Sequence, residues 1–168
     1  MMSDTGKNLQ EAFAGESQAN RKYLFFSEKA DEAGNTQVAR LFRAAAESET
    51  VHARNHLKVM GEIKTDKENL GAAMGGENYE FTTMYPGFIE TANKEKNQAA
   101  AHSFDLANRV EKIHHGLFQA ALKELGAGKS FREAPYYVCQ VCGNTVEGEA
   151  PERCPICGAP HSKFKRID

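Results

Sequence analysis

Residues 104–125 read FDLANRVEKIHHGLFQAALKEL. At alternating steps of three and four, the stretch gives Phe104, Ala107, Glu111, His114, Phe118, Ala121 and Leu125. That is one face of a helix, apolar at both ends and ionisable in the middle. A core-facing stripe gains nothing from a bare carboxylate, because burying one unpaired is costly.

The same signature recurs upstream. A helix over about 5–33 carries Leu9 and Phe13, then Glu16, then Tyr23 and Ala30 on one stripe. A second, over about 36–60, runs Val38, Phe42, Glu49, His52, His56, Val59. A third, over about 65–93, runs Leu70, Ala73, Glu77, Glu80, Met84, Phe88. Gly34-Asn35, Gly61 and Gly126 stand where helices stop, and Pro86 is expected to kink the third helix, since its ring displaces the hydrogen bond toward Thr82. Four long helices with short links predict an all-α four-helix bundle over residues 1–126.

The remainder has another texture. Residues 127–168 hold four of the five prolines and all four cysteines, with no helical period. The expected organisation is a bundle over 1–126, a linker over 127–135 and a small metal-bound domain of short strands and loops over 136–168. A net charge of −2 and 21 basic against 23 acidic residues give no general basic surface for nucleic acid or anionic lipid. No apolar run approaches the ~18 residues of a membrane span, and Met1 to Phe13 lacks the layout of a signal peptide. The expectation is a cytoplasmic protein with no nucleic-acid or membrane partner.

The stripe residues repeat in two halves. Glu16 precedes Glu49 by 33 positions and Glu77 precedes Glu111 by 34. Both leading glutamates follow glycine, and both trailing ones open a Glu-x-x-His pair, Glu49 with His52 and Glu111 with His114. Residues three apart share a helix face, so each pair presents a carboxylate and an imidazole to one point. No Lys or Arg shares these positions. Unpaired, five buried carboxylates would cost more than the ~5–15 kcal/mol that holds a domain together, and two multivalent cations would balance them. A Glu from each of two helices with Glu-x-x-His from the other two is the ligand pattern of ferritin-like di-iron and di-manganese proteins. Glu80 breaks the symmetry, because Ala19 stands at the matching place in the first half.

Cys139-x-x-Cys142-Gly143 and Cys154-x-x-Cys157-Gly158 are two knuckles separated by 11 residues. Four thiolates so spaced bind one tetrahedral metal, and so short a segment depends on that metal to fold. The cysteines alone favour zinc over iron.

The chain resembles the rubrerythrins along nearly its whole length. The resemblance is carried by Ala14-Gly-Glu16-Ser-Gln-Ala19 with Tyr23, Glu49-x-x-His52, Gly76-Glu77-x-x-Glu80, Met84-Tyr85-Pro86, Glu111-x-x-His114 and the terminal knuckles. It implies a ferritin-like di-iron bundle joined to a rubredoxin-like domain, and an oxidoreductase that reduces hydrogen peroxide as an oxidative-stress defence. It further implies Glu49 and Glu111 as bridging ligands and Glu16, Glu77 and His114 as terminal ones. Glu80 and His52 would exchange with redox state, and Tyr23 and Tyr85 would lie behind the ligands. Iron rather than zinc is implied at Cys139, Cys142, Cys154 and Cys157, with zinc as a possible substitute. Electrons would come from rubredoxin or an NAD(P)H-dependent reductase. A homodimer is also implied, either one in which one chain's cysteine domain serves the other chain's di-iron site or a helix-swapped variant, both of which the 127–135 linker would allow. The main rival is a ferroxidase or iron-handling protein, against which the cysteine domain and Glu80 argue.

Overall fold

The computed structural model describes residues 3–128 and 133–168; residues 129–132, inside the expected linker, lie outside the described residues. The chain divides into two compact units, one ending at Lys64 and the other beginning at Thr65.

The first unit is a helical hairpin, α1 (Asp4–Glu32) and α2 (Thr36–Val59). Ser3 caps α1 by accepting from the Gly6 N–H. At the other end Gly34 takes φ +76°, so that its N–H reaches Asp31 O and the Asn35 N–H reaches Ala30 O, at 2.9 and 2.8 Å. This left-handed closure satisfies carbonyls that the helix end leaves free. Ala39 and Ala46, both fully buried, let α2 lie close to α1. Asn20 ties the pair together: its Nδ2 donates to Ala46 O at 2.7 Å and to Thr50 Oγ1 at 2.8 Å.

The second unit begins with α3 (Asp66–Tyr79), entered through a capping box between Thr65 and Glu68. The expected kink at Pro86 takes a particular form. Glu80–Met84 is a π-turn, in which the Tyr85 N–H donates to Glu80 O, five residues back. α4 (Tyr85–Lys94) then starts with the proline in its first turn, where a missing N–H costs nothing. α5 (Gln98–Gly126) returns along α3 and α4. The α4–α5 turn reproduces the α1–α2 turn, with Asn97 N–H on Ala92 O at 2.8 Å, except that Lys96 rather than glycine takes the left-handed position, φ +59°.

Three short strands finish the unit: β1 (Tyr136–Cys139), β2 (Thr145–Glu147) and β3 (Phe164–Ile167). They form an antiparallel sheet in the order β2-β1-β3, with Tyr137 opposite both Val146 and Arg166. Among the described residues, no helix is long and apolar enough to cross a membrane.

The paired turns make a reciprocal test. A left-handed non-glycine residue costs roughly 1–2 kcal/mol, so Gly34→Ala should lower stability by about 1 kcal/mol. Lys96→Gly should hold it level or raise it, because relief of the same strain competes with glycine's freedom in the unfolded chain. Thermal melts of both variants check the pair.

Candidate metal centres

Each helical unit carries one cluster of metal-ligating side chains. On α1 and α2, His52 Nδ1 lies 2.8 Å from Glu49 Oε2 and 3.7 Å from Glu16 Oε1. On α3 and α5, His114 Nδ1 lies 2.7 Å from Glu111 Oε2 and 3.8 Å from Glu77 Oε2. Within each triad the donor atoms lie within 4.8 Å of one another, close to the spread around one ion about 2.1 Å from each donor. Each triad therefore fits one metal ion, and its Glu and His donors are of the kind that di-iron sites use. Neither contains a lysine or arginine.

The repeat explains Glu80. Tyr85, Phe88, Phe104, Glu111 and His114 each stand 62 positions after Tyr23, Phe26, Phe42, Glu49 and His52, but Glu77 stands 61 after Glu16. The second half thus has one extra residue between Glu77 and Tyr85, where the π-turn absorbs it. Beyond that turn the register is restored. Tyr23, Phe26 and Phe42 form one aromatic cluster and Tyr85, Phe88 and Phe104 another, with the two phenylalanines 5.5 Å apart in both. Glu80 opens the π-turn and lies outside the close triad, yet its charge is felt by Glu77 and His114.

The electrostatics of the second triad are those of carboxylates short of counter-charge. Burial, a hydrogen bond to Glu111 and the charge of Glu111 push Glu77 up to about 7. Glu111 is held down, chiefly by its hydrogen bond to His114, so the pair keeps one proton, on Glu77. His114 is raised, first by its bond to Glu111, and Glu80 is raised by burial and by Glu111. The Tyr85 hydroxyl is also raised, by burial and by the charges of Glu111, Glu80 and Glu77. Tyr23 lies in its aromatic cluster, 6.1 Å from Phe42 between ring centres.

The four thiols form a third cluster. Cys139 and Cys157 Sγ are 3.7 Å apart, and Cys142 and Cys154 Sγ 3.6 Å. A disulfide needs about 2.05 Å, whereas thiolates tetrahedrally placed about 2.3 Å from one metal lie close to the observed separation. The two knuckles are alike. Gly143 and Gly158 take φ +84° and +75°, and their N–H groups reach Cys139 O and Cys154 O at 2.8 and 2.9 Å. Backbone N–H groups of Asn144 and Ala159 turn toward Cys142 and Cys157. Burial pushes Cys154 up, but hydrogen bonds from the Cys157 and Ile156 backbone and from the Cys142 and Cys157 thiols together bring it down to about 7. The cluster fits a rubredoxin-like iron site.

Two contacts had no readable signal in the sequence. His115 is half-buried, its Nδ1 3.1 Å from Met74 O and its ring edge-on to Phe81. Thr145 lies against His114, with Oγ1 2.9 Å from Nε2. A threonine three residues after a cysteine has no pattern to mark it, and only the docking of β2 on α5 brings it there.

Comparison with known proteins agrees with these centres. The family model described as rubrerythrin matches residues 7–122, and that for the rubrerythrin rubredoxin-like domain matches residues 137–165. The chain is 37% identical to rubrerythrin-2 of Clostridium acetobutylicum, over 96% of this chain and 95% of that one. It is 34% identical to nigerythrin of Nitratidesulfovibrio vulgaris, over 97% and 86%. A solved structure described as the fully reduced, all-ferrous state of nigerythrin superposes with a TM-score of 0.59 at 32% identity, covering 99% of this chain and 88% of that one.

A domain of so few residues leans on its metal for stability. Cys139→Ser should abolish ferric-thiolate colour and collapse the NMR dispersion of residues 136–168. The helical signal in far-ultraviolet circular dichroism should persist.

Proposed function

The chain belongs to the rubrerythrin family of di-iron oxidoreductases with a rubredoxin-like domain, and on that footing we propose that it reduces hydrogen peroxide to water. The observation that carries the reading is the equivalence of the two triads: each sets one imidazole Nδ1 2.7–2.8 Å from one glutamate and 3.7–3.8 Å from another. A four-thiol cluster in the same chain supplies a one-electron carrier.

Glu16, Glu49, Glu77, Glu111 and His114 would hold two irons, Glu49 and Glu111 as the shared carboxylates. As the family resemblance implies, Glu80 and His52 would be exchangeable ligands: a carboxylate offsets ferric charge, and a neutral imidazole suits ferrous iron. When bound, the two ferrous ions supply the two electrons of H2O2 + 2 H+ + 2 e− → 2 H2O and become ferric. Without metal, Glu77 carries the carboxyl proton of its pair, and that proton is released when a cation binds; Tyr85 keeps a neutral hydroxyl in the field of the carboxylates. Leu70 and Phe118 line an apolar groove of about 460 Å³ that reaches Glu77 and His114 and gives a small neutral molecule access. Iron held by Cys139, Cys142, Cys154 and Cys157 would supply one-electron chemistry, fed by rubredoxin or an NAD(P)H-dependent reductase, in a homodimeric cytoplasmic protein.

The test is anaerobic. Fully reduced protein receives one equivalent of hydrogen peroxide while visible absorption is followed. Ferric-thiolate colour should return far faster than with O2; a protein that stays colourless sinks the reading. Glu80→Ala should slow turnover by roughly tenfold or more and abolish redox-linked exchange of ligands, while iron is still bound.

A further inference from the structure

His114 has both ring nitrogens engaged. Nδ1 faces Glu111 and Glu77, and Nε2 meets Thr145 Oγ1 at 2.9 Å. His52, its counterpart, has the same two carboxylates at Nδ1 but is half exposed and has no partner for Nε2 among the described residues. The two triads are alike on the metal side and differ behind it.

What lies behind His114 is the first cysteine knuckle. Thr145 opens β2, and its hydroxyl also reaches the Gly143 carbonyl at 3.2 Å. Gly143 follows Cys142 directly and packs on α5, where a Cβ would stand 3.8 Å from the buried Val110. The second knuckle touches the same helix through Arg109, whose guanidinium donates to Pro155 O at 3.5 Å. One arrangement of protons satisfies this chain. With Nδ1 committed to a metal the imidazole is neutral, Nε2–H donates to Thr145 Oγ1, and the threonine O–H donates to Gly143 O. Ligating histidines are held in this way, by the hydrogen bond of the other nitrogen.

We propose that Thr145 is a positioning residue: its hydroxyl accepts from His114 Nε2–H, holds that ring with Nδ1 toward the carboxylates, and ties it to the Cys142 knuckle through the Gly143 carbonyl. The hydrogen bond stands apart from the peroxidase reading; only its effect on turnover rests on that reading.

The test uses full-length protein carrying Thr145→Val, which keeps the β-branched shape without the hydroxyl, and Thr145→Ser, which keeps the hydroxyl. In the zinc-loaded protein, the His114 Nε2–H should appear in NMR as a slowly exchanging proton in the wild type and the serine variant, and vanish in the valine variant. In the reduced iron protein mixed with peroxide, valine should slow the return of ferric-thiolate colour by roughly tenfold or more, and serine should restore it. Valine indistinguishable from wild type in both readouts, or serine as impaired as valine, overturns the proposal. If wild-type protein fails to react with peroxide, the peroxidase reading fails, and the ring proton still decides the role of Thr145.

Discussion

Carboxylates that face one another across a helix pair repel, and each triad meets that repulsion with a single imidazole. Glu77 and Glu111 show the consequence: with no lysine or arginine in the triad, the pair retains a proton up to about pH 7. A cation removes this frustration, by displacing the proton and supplying the charge that the helices omit. The close α1–α2 approach through Ala39 and Ala46, the Asn20 cross-link and the turns at Gly34 and Lys96 all hold carboxylates in positions that helices would otherwise leave to solvent.

Duplication supplies the second constraint. Two hairpins with the same turn, aromatic cluster and Glu-x-x-His pair each carry one metal-ligating triad. One inserted residue departs from that equality. The π-turn takes up the insertion between Glu77 and Tyr85, adds a carboxylate at Glu80, and returns Phe88, Phe104 and His114 to register. An insertion in a plain α-helix would have rotated everything beyond it by about 100°. The wider turn confines the change to five residues, and Pro86, which has no N–H to give, follows it without loss.

The cysteine domain obeys a different economy. Its strands bury little, and its two knuckles orient N–H groups at sulfur through left-handed glycines. Its attachment to α5 is made by backbone at Gly143, by one hydroxyl at Thr145 and by Arg109, which donates to Pro155 O. Those contacts are small in area but lie directly behind a metal-facing imidazole.

Sequence by itself determined the helices nearly to the residue, the seven ionisable positions at the middle of the stripes and the four thiol positions, because helical period, glycine stops and knuckle spacing are local properties of the chain. It also marked Glu80 as the odd member of the repeat. Only tertiary structure decided that the Pro86 irregularity is a π-turn ahead of the proline, that Asn20 bridges two helices, that His115 is held against Met74 and Phe81, and that Thr145 backs His114. Those outcomes depend on which surfaces meet across long separations in the chain, and Thr145 and His114, 31 positions apart, leave no period for a sequence to carry.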